Sequence, residues 1–202
     1  MRFKDAFIGG SIAAMVLATL PSCQSIPSLS DKIGETRVFA MIGEENRTDG
    51  FLTDVFVQTD AILIRNGMGG ELDGMLGTLA YLDENPNKLI VIDGPCASAC
   101  TLLLSRPENV VFTENAVFQF HSAAWQTTVG TKVTFELSEE GNQKMLRVLP
   151  ESIREWVLDN DAFASRDLVE MSNRTVRKLI PAMFMPSNRL PLMDPGPDRI
   201  IN

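Results

Sequence analysis

Two short, wholly apolar runs, Ala61 to Ile64 and Leu89 to Ile92, flank a single amphipathic stretch, and no other feature limits the possible folds as strongly. A run apolar at every position marks a strand covered on both faces rather than one with a solvated side. Between the two, after Gly70, the residues Leu72, Met75, Leu76, Leu79 and Leu82 recur at helical spacing until Glu84-Asn85-Pro86-Asn87 ends the pattern. Strand, helix and strand in this order predict an α/β fold.

The rest of the chain extends that reading. Arg37 to Ile42 is a further run of strand length, and Asp49 is placed to cap a short helix through Phe51 to Val57. Thr101 to Leu104 reads as a helix, and Val110 to Phe112 and Val117 to Phe120 as strands. Ala123 to Thr131 reads as a loop in which Trp125 lines a groove or packs. From Leu137 the pattern becomes helical, with one helix over Glu139 to Val148 and another opening at Pro150 and running to Leu158. Asp167 to Met171 adds a turn. Four prolines between Pro186 and Asn202 predict a loose tail.

The first residues have the pattern of an export signal. Arg2 and Lys4 give a basic start, Ala6 to Leu20 is apolar and rich in small residues, and Leu20-Pro21-Ser22-Cys23 follows. The run is short for a membrane span and suits a signal-peptide core. Its end has the look of a lipoprotein cleavage box, which makes Cys23 the lipidation candidate; a plain cleaved signal with an incidental cysteine is the alternative. The expected organisation is a signal peptide over 1–22, a linker over 23–36, a folded domain over 37–185 and the tail over 186–202. The protein is expected in the periplasm or anchored to a membrane of a bacterial envelope. Asn46-Arg47-Thr48 and Asn173-Arg174-Thr175 match glycosylation acceptors, but a bacterial type of signal argues against their use.

Export decides how the cysteines are read. With Cys23 set aside, Cys96 and Cys100 form an even pair in an oxidising compartment, which favours a disulfide. On a regular helix a separation of four residues suits a bridge poorly, so some distortion is expected. Metal binding is the rival reading, although a single histidine and two thiols fall short of a tetrahedral site unless carboxylates join them. Of 202 residues 45% are hydrophobic and 22% charged, an ordinary balance for one globular domain. The net charge is −8, or −9 without residues 1–22, which carry a net +1. With no Lys/Arg cluster to offset it, this acidity would repel a nucleic-acid backbone, so nucleic acid is not an expected partner.

Chemistry concentrates between Gly94 and His121. Ser98 sits in the small-residue turn Pro95-Cys96-Ala97-Ser98-Ala99-Cys100, and twenty-three residues later His121, the only histidine, closes an apolar strand. A serine hydroxyl is a weak nucleophile that needs an imidazole to take its proton and N–H donors to hold an oxyanion. At the start of a helix the Ala99 N–H points at developing negative charge. Asn66-Gly67-Met68-Gly69-Gly70 also joins a strand to a helix, and its glycines let a carbonyl approach exposed amides. Taken singly, each feature has a plainer meaning: small residues pack helices on sheets, and a histidine ending a strand is often a satisfied core residue. As a dinucleotide fingerprint the glycine segment is weak, because Leu72 occupies the third glycine position.

The sequence Gly69-Gly70, then Cys96-Ala97-Ser98-Ala99-Cys100, then Phe120-His121 resembles the Clp protease proteolytic subunit and its exported relatives, within the Clp/crotonase superfamily, over residues 37 to 175. The resemblance implies a spiral of strand-strand-helix units with a helical C-terminal part. It also implies Ser98 as nucleophile, His121 as general base, and the amides of Gly69 or Gly70 with that of Ala99 as oxyanion hole. No cofactor is implied. The expected partners are a peptide or unfolded-protein substrate, a membrane through the lipid anchor, and further copies of the chain. Thioester chemistry of the crotonase kind uses the same fold but a cytoplasmic coenzyme A ester, which the export signal disfavours.

The chain departs from the family pattern at Met68, where the protease has proline, and at Ser122-Ala123, where glutamine and proline follow the histidine. The family position of the triad acid falls on Thr175, with Asp161, Asp167 and Glu170 as neighbouring substitutes. The sequence therefore supports two expectations: a serine hydrolase with a dyad or incomplete triad, or a silent member of the fold that binds peptides or envelope partners.

Overall fold

The computed structural model of the protein describes residues 39–42, 60–189 and 200–201. The expected export signal, lipidation candidate Cys23, linker, Asp49-capped helix and Asn46 acceptor all lie outside the described residues. The fold is α/β. Strands β1 (Phe39–Ile42), β2 (Ala61–Ile64), β3 (Leu89–Ile92) and β5 (Val110–Phe112) form a parallel sheet in the order β1-β2-β3-β5, and a final strand β10 (Ile200–Ile201) joins beside β1. The segment expected to be loose thus contributes to the sheet, and earlier in it Ser187 is tied to Glu114.

In-register pairing of β2, β3 and β5 explains why all three strands are apolar throughout. Ile62, Ile90 and Val110 lie abreast, as do Ile64, Ile92 and Phe112, and face the main core under helix α1 (Leu72–Glu84), whose Met75, Leu79 and Leu82 are buried. Leu63, Val91 and Val111 point to the opposite face and form a smaller cluster with Met185.

A second sheet stands apart from the first. Strand β4 (Pro95–Ala97) pairs parallel with β6 (Val117–Phe120), and β6 pairs antiparallel with β9 (Val169–Met171), which occupies part of the expected turn at 167–171. Cys96, Phe118 and Met171 lie abreast and fully buried. Between β4 and β5 runs a 3-10 helix, Ser98–Ser105, in place of the expected helix at Thr101–Leu104.

The expected loop at Ala123 to Thr131 is instead the first strand of a hairpin. Strand β7 (Ala124–Val129) pairs with β8 (Lys132–Leu137), turning at Gly130, whose φ is +61°. Every residue from Trp125 to Leu137 is exposed, although Val133, Phe135 and Leu137 alternate with Lys132, Thr134 and Glu136 in β8, the period of a strand. Helices α2 (Glu139–Val148) and α3 (Glu151–Asp159) follow the expectation closely. Helix α4 (Asn173–Leu179) was not anticipated; Ser172 caps it by accepting from the Thr175 N–H at 3.2 Å. The Asn173 amide donates to the carbonyls of Thr113 and Ala116 and is engaged within the protein.

Candidate active site

The turn at Ser98 is built by β4 meeting the 3-10 helix. Cys96 and Cys100 are joined by a disulfide with a Cα–Cα distance of 5.3 Å, and both are fully buried. Because Cys96 sits in extended β4 and only Cys100 on the helix, the poor geometry of a four-residue spacing on one helix does not arise. Among the described residues no group of three or more His, Cys, Asp or Glu side chains is arranged to hold a metal. Ser98 itself has φ +54°, a left-handed conformation uncommon for a residue with a side chain. Thr101 fixes the turn from below, its hydroxyl donating to the Ser98 carbonyl at 2.7 Å.

The glycine segment is laced to this turn. The Gly67 N–H donates to the Pro95 carbonyl at 2.8 Å and the Ala97 N–H to the Gly67 carbonyl at 2.7 Å. Gly69 then passes so close that a β-carbon on it would lie 2.6 Å from the Ser98 Cβ, 2.7 Å from the Ala97 oxygen and 2.9 Å from the Ala99 nitrogen. Its φ of +78° also demands glycine. The N–H groups of Gly69, Gly70 and Ala99 donate to no acceptor among the described residues, which leaves them free for a ligand oxygen.

His121 leaves the end of β6 half-buried. Its Nδ1 lies 2.7 Å from the Ser122 carbonyl oxygen. A carbonyl only accepts, so Nδ1 carries the proton in this contact and Nε2 of the neutral ring is the free basic nitrogen. Ser98 and His121 line one cavity of about 760 Å³, together with Gly69, Gly70 and Ala99, but the serine hydroxyl makes no hydrogen bond to the imidazole. In unliganded sites such contacts are commonly long and tighten only around substrate.

None of the acid candidates meets the ring. Asp161 is exposed in a left-handed conformation beyond α3, and Asp167 accepts a hydrogen bond from Ser165 at 3.1 Å. Glu170 is exposed on β9 opposite Gln119, and the Thr175 hydroxyl lies 2.9 Å from that of Ser172 in the cap of α4. Among the described residues no carboxylate forms an ion pair with His121.

Two residues given no role at the site by the sequence complete the setting. Ser122 is fully buried and exchanges hydrogen bonds with Asn142, itself 7% exposed on α2, whose Oδ1 also accepts from the Ala123 N–H at 2.8 Å. The signal for Asn142 was available: an amide on the same buried side of α2 as Gly141 and Met145 needs a polar partner.

The cavity mixes apolar and charged walls. The β7–β8 hairpin contributes Trp125 and Phe135, with the Arg166 guanidinium 3.7 Å above the Phe135 ring. Lys144 reaches Glu140 at 3.3 Å and Asp73 at 3.6 Å. Its ammonium is held above its ordinary range first by the hydrogen bond to Glu140 and then by the Asp73 charge.

No protein-family model matches the chain, and no curated protein matches it. Among solved structures it is similar to a mutant of the 1510-N membrane-bound stomatin-specific protease, with 10% identity, 71% of this chain and 77% of that one covered, and a TM-score of 0.48. It is also similar to a peptidase from Plasmodium falciparum, with 8% identity, 76% of this chain and 97% of that one covered, and a TM-score of 0.41.

Proposed function

We propose that the protein is an exported serine hydrolase of the Clp/crotonase-like type that cleaves peptide bonds through an acyl-enzyme. The observation that carries this reading is the sharing of one cavity by Ser98, in a strained left-handed turn, and His121, whose free Nε2 is available as a base. Ser98 Oγ attacks the scissile carbonyl carbon while its proton passes to His121 Nε2, and the carbonyl π electrons move to oxygen. The amides of Gly69, Gly70 and Ala99 receive that oxyanion. Collapse of the intermediate breaks the C–N bond, and the imidazolium returns the proton to the leaving amine. Water then hydrolyses the ester by the same proton route. A cavity of about 760 Å³ suits a short or unfolded peptide segment.

The buried disulfide supports an oxidising compartment, in line with the signal-like start, lipidation at Cys23 and a periplasmic or membrane-anchored location. Assembly into a homo-oligomer belongs to the same proposal. A second reading, a silent fold that binds peptides in this groove, is favoured by the missing Ser98–His121 hydrogen bond and by the lack, among the described residues, of a carboxylate paired with His121. A fluorophosphonate probe separates the two. Labelling of the wild type that is lost in Ser98→Ala and His121→Ala supports the hydrolase, and an unlabelled, folded, oxidised wild type supports the binder.

A further inference from the structure

Among the described residues no carboxylate pairs with His121, yet its ring is not unguided. The Ser122 carbonyl that accepts from Nδ1 at 2.7 Å belongs to the same peptide group as the Ala123 N–H, and that N–H donates to Asn142 Oδ1 at 2.8 Å. The two hydrogen bonds lie on opposite ends of one peptide unit. An acceptor on the N–H end draws the peptide electrons toward the carbonyl oxygen and makes it a better acceptor for the imidazole proton. The chain of contacts runs from the Asn142 amide through the 122–123 peptide to the histidine.

The surroundings hold this peptide firmly. The Ser122 N–H donates to the Ser165 carbonyl at 2.8 Å, and the Ser138 N–H donates to the Ala123 carbonyl at 2.8 Å. The Ser122 hydroxyl lies 3.1 Å from Asn142 Oδ1 and 3.0 Å from its Nδ2, so the buried amide finds partners for both ends. Helix α2 comes near enough only because Gly141 lacks a side chain; a β-carbon there would lie 2.6 Å from the Ala123 Cβ. Ser138 caps the same helix by accepting from the Gly141 N–H at 3.0 Å, so the cap, the glycine and Asn142 form one docking unit.

We infer that Asn142 is the positioning residue for His121: by fixing and polarising the Ser122–Ala123 peptide it keeps the imidazole proton on Nδ1 and leaves Nε2 toward the cavity. The role falls to a neutral peptide instead of the acid of the family's triad, whose position is Thr175 in this chain. In the forward step the proton from Ser98 Oγ arrives at Nε2, Nδ1 keeps its own proton, and the positive charge faces the polarised carbonyl. The catalytic consequence rests on the hydrolase reading; the tautomer does not.

Because His121 is the sole histidine, its ring nitrogens give an unambiguous signal in histidine-selective 15N NMR. The wild-type neutral ring is expected as the Nδ1–H tautomer. Asn142→Leu removes the acceptor at similar volume and is expected to let the Nε2–H form rise, while fluorophosphonate labelling of Ser98 slows about 10–100-fold, the scale found when a metal-bound histidine loses its outer partner. Asn142→Asp keeps an oxygen acceptor, with more charge, and is expected to retain the Nδ1–H form with its proton resonance moved downfield. An Nδ1–H ring unchanged in a natively folded Asn142→Leu overturns the inference. Should that variant not fold, an unmoved Nδ1 proton in Asn142→Asp overturns it equally. A tautomer that shifts in Asn142→Leu while the wild type takes no label supports the positioning role and defeats the hydrolase reading. Equal labelling of the wild type and Asn142→Leu with one tautomer does the reverse.

Discussion

Gly69 passes so close to Ser98 that a β-carbon added to it would sit 2.6 Å from the Ser98 Cβ and 2.9 Å from the Ala99 nitrogen. This contact brings the free Gly69 and Gly70 amides beside the Ala99 amide, so one methyl group at residue 69 is expected to separate the donors. Gly69→Ala also forces a side chain into φ +78°. Labelling of Ser98 should fall by about 100-fold or more, the scale of losing one oxyanion donor. Gly77, inside α1 with nothing within 4 Å of its added β-carbon, is the control. Gly77→Ala should leave labelling intact and raise stability by about 0.5–1 kcal/mol in a urea titration.

The Cys96–Cys100 bridge closes a very short loop, and chain-entropy reasoning for such a loop gives about 2 kcal/mol. Both sulfurs are fully buried, so a mild reductant should leave the native protein oxidised and act only as it unfolds. The double variant Cys96→Ser, Cys100→Ser should unfold at lower denaturant. It should also label more slowly, because the strained Ser98 turn then lacks its clamp. Equal labelling rates for the double variant and the oxidised wild type would show that the bridge serves stability alone.

The parallel sheet and α1 were legible because burial on both faces leaves a strand such as Leu89–Ile92 no polar position, while α1 shows its period directly. In the hairpin β7 shows no alternation, whereas β8 carried a legible one in Val133, Phe135 and Leu137; β9 and α4, with three and seven residues, carry too little pattern. At the site, Ser98, His121 and the glycines could be named from residue type and order. The partner of His121 could not, because a main-chain carbonyl leaves no mark in the sequence, whereas residue type points only to the family position at Thr175 and to Asp161, Asp167 and Glu170, none of which meets the ring. The left-handed φ of Ser98 was equally hidden, since nothing in Ala97-Ser98-Ala99 requires it.

Phe118 connects the core to the site. It is fully buried, lies abreast of Cys96 across β4 and β6, and meets Phe112 edge-on with ring centroids 5.5 Å apart. Phe118→Ala should cost about 3–5 kcal/mol, a large share of a typical domain's stability. As β6 also carries His121 at its end, labelling should weaken under conditions where the variant is still folded. Denaturant titration followed by circular dichroism, with labelling measured well below the midpoint, checks both effects.

Glu114 provides the pH-dependent link. Its carboxylate accepts from the Ser187 hydroxyl at 2.6 Å and the Ser187 N–H at 2.8 Å. The Ser187 hydroxyl is the largest cause holding the Glu114 carboxyl below its ordinary value of 4.5, followed by the residue's own backbone N–H and that of Ser187. With the folded value depressed, the link contributes stability above the unfolded value and loses it as pH falls through the folded one. Exposure keeps the contribution small. Ser187→Ala should therefore raise the Glu114 midpoint in a 13C carboxyl titration and lower stability slightly at neutral pH, with the difference between variant and wild type shrinking toward zero in acid. A midpoint that stays in place would mean the hydroxyl contact does not persist in solution.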